Sequence, residues 1–423
     1  MKVTLINRDD AGGGAAMACL RLFKALDSNQ VDVSMLVQDK TSHEEKIKST
    51  IQSTFDKIHS EYNFFYERLS FILKEQDKSV RFAFSTANAG TDIVDKPSVT
   101  NADILHLHWI NGGFLSLNNL DKLLGLNKPV VWTLHDMWPF TGGCHYSGVS
   151  QKFIAQCGNC HFLKHPHPQD ISYTGWHKKH DVYNRNKNIT FVACSNWMRE
   201  MAQKSSLLQG FEIITIPNAI NIHTFSLQDK MASRRKWNIP ENTKVILFGA
   251  ANINHTRKGI KYLIEALNVL KNSSEIANKN IQLVIFGKSK GFDFTQIPFP
   301  VISLPIIKSE TDLAEIYSLA DVFVLPSLED NLPNMVMEAL SCSTPVVAFN
   351  SGGISDMVEH KQNGYLAQFM SVEDLARGIQ FVIDYQGETL ALNARKKIAE
   401  NFSYDIIAEK HINLYKRLVK TNE

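Results

Sequence analysis

The chain has 423 residues, too many for one comfortable hydrophobic core, and its length favours two domains of ordinary size. Hydrophobic residues make up 44% and charged residues 21%, a globular composition that excludes a disordered chain. With 45 basic against 43 acidic residues the net charge is +2, which excludes a broad electrostatic footprint for nucleic acid, so any anionic ligand must be bound locally.

The amino terminus, "MKVTLINRDDAGGGAAM", enters a strand with no signal-peptide pattern, and no apolar run approaches the roughly 20 residues that span a bilayer; a cytoplasmic protein is expected. "KVTLINR", "VDVSMLVQ", "ADILHLHW", "PVVWTLHD", "ITFVACS" and "FEIITIPN" read as buried strands, because they are nearly continuous apolar runs bounded by turn residues. The pattern restarts with "KVILFGAA", "IQLVIFGKS", "VFVLPS" and "PVVAFNSGG", separated by helical periodicity in "KGIKYLIEALNVLK", "ETDLAEIYSLA" and "SVEDLARGIQFVIDY". Alternating strands and helices predict an α/β protein of two doubly wound, Rossmann-like domains facing across a cleft. The boundary falls in "IPNAINIHTF", giving domains 1–216 and 217–402, with the last helix, 403–423, crossing back to complete the first.

Ligands of such sheets bind outside the carboxyl ends of the strands. After the first strand, Gly12, Gly13 and Gly14 open a helix. A tight turn and a ligand contact both explain them, and the missing G-x-G-x-x-G argues against a dinucleotide. "FDKIHSEYNFFYERLSFILKEQDKSVRFAF" is aromatic-rich and helical in period, and reads as a core or acceptor-side helix. His135 and Asp136 follow a strand end directly, where His135 is placed to hydrogen-bond a substrate. "GGCHYSGVSQKFIAQCGNCHFLKHPHP" holds Cys144, Cys157, Cys160 and His161, a set with the ligand types of a tetrahedral structural zinc; reduced, unliganded thiols explain it equally. The scattered cysteines make no disulfide framework.

In the second series, Arg257 and Lys258 stand at a helix start, where the dipole disfavours cations and a bound diphosphate would reverse the penalty. Gly287 and Lys288 close another strand. In "PSLEDNLPNMVMEAL", Pro333 fits the first turn of a helix, with Asp330 in the preceding loop and Glu338 on the second turn. Both acids can then reach a ligand held at the helix start.

The stretch "SLEDNLPNMVMEALSCSTPVVAF" followed by "SGGISDMVEHKQNGYLA" resembles the sugar-nucleotide half of retaining GT-B glycosyltransferases of family GT4, whose hallmark is E-x7-E with a following Gly-Gly pair. "RKGIKYLIEAL" and "FSYDIIAEKHINLYKRL" stand in the expected order, and "HLHWINGGFL" with "WTLHDMWPFTGGCHYS" is similar to members from bacterial exopolysaccharide and capsule clusters. The resemblance implies that Glu338 binds the nucleotide ribose and that Asp330, in place of the usual glutamate, holds hydroxyls of the transferred sugar. Lys258 matches the phosphate-binding lysine, with Arg257 beside it where the family's arginine usually lies several residues upstream. It also implies a donor-sugar contact for His135 and donor contacts for Gly13, Gly14, Gly287, Lys288, Asn331, Leu332 and Asn334. Relatives carry a further cysteine where this chain has Ser150.

The expected reaction is transfer from a UDP- or GDP-sugar to a glycan or lipid-linked acceptor in surface polysaccharide synthesis. The leaving phosphate would take the acceptor proton, and no cofactor would be required. The chain has no D-x-D, the motif with which the other main transferase fold holds a metal. Transient membrane-surface contact, at the inner face, is a further expectation from relatives. A non-catalytic sugar-nucleotide-binding protein and a GT-B-like epimerase or phosphorylase are the competing readings.

Overall fold

The structure is a computed structural model that describes residues 1–274, 276 and 279–422. The chain divides into two units, Met1–Asn218 with Ile407–Glu423, and Ala219–Ile406. Each is built on its own parallel sheet.

The first sheet contains β1 (Lys2–Asp9), β2 (Asp32–Asp39), β3 (Ile47–Ser49), β4 (Ile104–Leu107), β5 (Val130–Leu134), β6 (Ile189–Ala193) and β7 (Glu212–Thr215), in the order β3-β2-β1-β4-β5-β6-β7. β4, β5 and β6 are buried along their whole length, as strands covered on both faces must be. Trp132 of β5 is the centre of the core, stacked on Phe191 of β6 and met edge-on by Tyr183.

The second sheet contains β8 (Lys244–Asn252), β9 (Ile281–Lys288), β10 (Val301–Leu304), β11 (Val322–Leu325), β12 (Val346–Phe349) and β13 (Gly364–Ala367), in the order β10-β9-β8-β11-β12-β13. The helices Ile260–Lys271 and Val372–Asp384 pack together through apolar faces that bury Leu263, Leu267, Leu375 and Ile379. In both sheets the order reverses between two central strands, β1 and β4 or β8 and β11. The strand ends there diverge into the crevice where such folds bind ligands.

Two details differ from expectation. Pro333 is the N-cap of the helix Asn334–Ser341, so the helix begins one residue after the proline. The helix Thr54–Ile72 is no core helix: it buries Ser60, Asn63, Glu67, Arg68 and Phe71 and exposes Phe55, Ile58, Tyr62, Phe65 and Leu69. Its polar side is the anchored one. Glu67 accepts a hydrogen bond from the Gly113 amide, and a Cβ at Gly113 would overlap the backbone at Phe64, so the helix lies directly on the turn after β4. Among the described residues no helix is long and apolar enough to cross a membrane.

Candidate active site

In the second unit the loops after β8, β11 and β12 lock together. Arg257 and Lys258 lie in the turn Thr256–Lys258, started by the His255 side chain, which accepts from the Arg257 amide. Gly259 follows at φ 73°, a left-handed value that glycine adopts readily, and a Cβ there would overlap the Pro326 carbonyl after β11. Gly352, at φ 57°, likewise lies under the Asp330 carbonyl, which accepts from the Gly353 amide at 3.1 Å.

This contact places both cations on Asp330. Lys258 Nζ is 2.5 Å from one carboxylate oxygen and Arg257 Nη1 is 3.4 Å from the other, while Arg257 also donates to the Glu329 carbonyl. Burial pushes the Asp330 carboxyl up, but the adjacent Lys258 and Arg257 charges more than offset it and hold the group below the usual carboxylate range. Asn331 and Leu332 are buried between this cluster and the half-buried Asn334 in the first turn of the helix. Glu338, one turn further, is 6% exposed, and its Oε2 accepts from the hydroxyl of Tyr317 at 2.8 Å. Asp330 is thus paired with two cations, while Glu338 has a neutral hydroxyl among its partners. Gly287 packs against the Ala250 carbonyl, and Lys288 is exposed at the end of β9 beside Asn252.

In the first unit His135 follows β5, with its Nε2 2.8 Å from Nδ1 of His108 at the end of β4. Burial depresses His135 to about 4, so the ring is neutral at physiological pH. Beneath it His106 is held between the Tyr415 hydroxyl at 2.6 Å and Thr133 Oγ1 at 2.7 Å. Asp136 has structural work: its carboxylate accepts from the Trp138 amide at 2.9 Å, Trp109 Nε1 at 3.1 Å and His145 Nδ1 at 2.7 Å. Gly13 and Gly14 open the helix Gly14–Ser28, and a Cβ on either would meet nothing within 4 Å. That edge of the crevice is open.

Cys144, Cys157, Cys160 and His161 line one small cavity with Gly142 and Phe153. All six cysteines are free, the Gly142 amide is 3.2 Å from Cys157 Sγ, and burial raises Cys144 and Cys157 and pushes Cys160 up to about 11, so the thiols are protonated. Among the described residues no group of three or more His, Cys, Asp or Glu side chains is arranged to hold a metal ion.

Sequence reasoning singled out neither Tyr317 nor His108. The one available signal was position, His108 standing at a strand end like His135.

Residues 12–224 match the family described as Glycosyltransferase Family 4, and residues 229–402 the one described as Glycosyl transferases group 1. An uncharacterised glycosyltransferase of Methanocaldococcus jannaschii is 25% identical over 74% of this chain and 82% of its own. The capsular polysaccharide biosynthesis glycosyltransferase CapM of Staphylococcus aureus is 24% identical over 55% of this chain and 62% of its own. Among solved structures, Anabaena HepE in complex with UDP-glucose superposes with a TM-score of 0.63 at 15% identity, covering 99% of this chain and 100% of that one, a likeness of fold.

Proposed function

The chain belongs to glycosyltransferase family 4, with two sheets of the GT-B type, and from that premise we propose that it transfers a sugar, with retention of anomeric configuration, from a UDP- or GDP-sugar to a glycan or lipid-linked acceptor in bacterial surface polysaccharide synthesis. One observation carries the reading. Lys258 and Arg257 converge on Asp330 just before the start of the helix Asn334–Ser341, which carries Glu338 on its second turn.

Displacement of a nucleoside diphosphate builds negative charge on the leaving group, and preorganised cations with helix amides lower that barrier. Lys258, Arg257 and the amides at Asn334 fill this role with no ion needed, which supports a metal-independent reaction. Glu338 would take the ribose hydroxyls and Asp330 hydroxyls of the transferred sugar. His135, neutral because it is buried, is suited to hydrogen-bond the sugar and not to supply a charge. The departing phosphate would accept the acceptor proton, so no enzyme nucleophile is required.

The surface role draws support from the likeness to CapM, and the donor class from the UDP-glucose bound by HepE. The inside-out helix Thr54–Ile72 supports a lipid-linked acceptor reached at the inner membrane face, since its exposed stripe is aromatic. Incubation with UDP-, GDP- and ADP-sugars in the presence of EDTA, with the anomeric configuration of the product read by NMR, tests the proposal. Nucleotide release and an α-product from an α-donor are expected. Absence of both binding and release across the panel would overturn it, and activity abolished by EDTA would overturn the metal-independent mechanism.

A further inference from the structure

A buried carboxylate persists only with partners that replace the water it has lost. For Glu338 the structure supplies Tyr317, at the carboxyl end of the helix Glu310–Leu319 and 21 residues earlier in the chain, whose hydroxyl donates to Oε2 at 2.8 Å. Tyr317 is fully buried. Its ring is met edge-on by Phe286 of β9 at 5.9 Å and by Phe323 of β11 at 5.6 Å, with interplanar angles of 84° and 88°. Its own carbonyl accepts from Thr344 Oγ1 at 2.7 Å, just past the helix that carries Glu338. The hydroxyl is thus placed by residues of β9 and β11 and by both helices at once.

We propose that Tyr317 is the positioning residue for Glu338, holding one carboxylate oxygen so that the plane of the group is set in advance for a vicinal diol, the 2′ and 3′ hydroxyls of a nucleoside diphosphate. The inference rests on the reading of Glu338 as the ribose clamp. A carboxylate oxygen has two lone pairs, so an oxygen that accepts from Tyr317 still accepts from a ribose hydroxyl. A neutral donor suits this task better than a cation would. It fixes the geometry while leaving the carboxylate's negative charge in place for the ligand. The motif reports only the acid; its orientation comes from the preceding helix in the chain, which packs against the one that carries it.

The test uses the full chain and its Tyr317→Phe and Glu338→Gln variants, titrated calorimetrically with UDP or GDP and with the matching 2′,3′-dideoxynucleoside diphosphate. Phenylalanine keeps the ring contacts, and melting curves verify the fold. Tyr317→Phe should weaken the ribonucleotide by roughly five- to twenty-fold, the loss of one charge-assisted hydrogen bond. It should leave the dideoxy compound within about twofold, and cost nothing further in the Glu338→Gln background, because the two residues act as one unit. Equal loss for both nucleotides, no loss for either, or additive loss with Glu338→Gln overturns the positioning role. The ribose-clamp reading fails separately if Glu338→Gln binds the ribonucleotide like the parent or loses both nucleotides alike. No binding of any nucleotide by the parent chain sinks both.

Discussion

Replacing Asp330 by asparagine should separate sugar handling from nucleotide binding. Its carboxylate lies between Lys258 Nζ at 2.5 Å and Arg257 Nη1 at 3.4 Å, with side-chain exposures of 11% for the acid and 19% and 28% for the cations. Opposite unit charges about 4 Å apart attract by roughly 4 kcal/mol at an effective dielectric constant near 20, and desolvation offsets much of that, leaving about 1–3 kcal/mol net. A donor diphosphate must compete with this bond for Lys258. Asparagine keeps the shape and removes the competing charge. Bare UDP or GDP should therefore bind the variant at least as tightly as the parent, and up to about tenfold more tightly, equivalent to about 1.4 kcal/mol. Turnover should move the other way, because exchanging a charged for a neutral acceptor of the sugar hydroxyls costs about 1.5–3 kcal/mol, or roughly ten- to a hundredfold in kcat. Calorimetry with the bare nucleotide and nucleotide release from the sugar donor read the two effects separately. A parallel fall in both would refute the division of roles between Asp330 and Glu338.

Acid should weaken the first unit. Burial holds His106 and His108 well below 6.5, His135 at about 4 and His411 at about 3. In the unfolded chain these rings titrate near 6.5, so their stabilising effect is complete above about pH 6.5 and is lost as pH falls towards the folded values. It is worth on the order of several kcal/mol for His411 alone. The near-ultraviolet circular dichroism signal of the buried aromatic side chains should melt at steeply lower temperature between pH 6.5 and 4, and a flat profile there would count against the argument. Gly259→Ala should lower the melting temperature and abolish nucleotide binding, because the added carbon meets the Pro326 carbonyl at a left-handed φ of 73°, a strain of at least about 1–3 kcal/mol. An unchanged melting curve would show that the loops lock in another way. Asp136→Ala leaves the buried Trp138 amide and the part-buried donors of Trp109 and His145 without their acceptor and should cost about 2–4 kcal/mol in denaturant unfolding. Phe65→Ser with Leu69→Ser should change stability by less than about 1 kcal/mol, because both side chains are exposed, yet reduce co-sedimentation with anionic lipid vesicles; unchanged sedimentation would remove the lipid reading of that helix.

Most strands that were legible in the sequence are interior strands; β7, a partly buried edge strand, was legible through its apolar run alone. β3, β10 and β13 gave no readable signal, and all three are edge strands. They are three or four residues long, and β3 and β10 are only partly buried, so neither a continuous apolar run nor a clean alternation is imposed on them. The helix Thr54–Ile72 shows a different limit. Periodicity told which residues share a face, but which face turns inward was decided by Glu67 reaching the Gly113 amide, a partner 46 residues away. The same holds at the site. Asp330, Glu338, Lys258 and Arg257 were visible because charge at a strand end or helix start is locally anomalous. Tyr317 was invisible because an aromatic residue on a helix that faces a sheet is what any core requires, and its hydroxyl gains meaning only from Glu338 on the next helix.

The last helix, Tyr404–Asn422, has a consequence for how the chain comes into being. From Ile407 onward it belongs to the first unit, where the buried Tyr415 hydroxyl closes over His106 and His411 packs against the same ring. A ribosome that has finished residue 218 has made every strand of the first sheet, yet the side chains that seal its base are still almost two hundred codons away. The unit synthesised first therefore cannot cover His106 with its own last helix until the contiguous second unit has also been made.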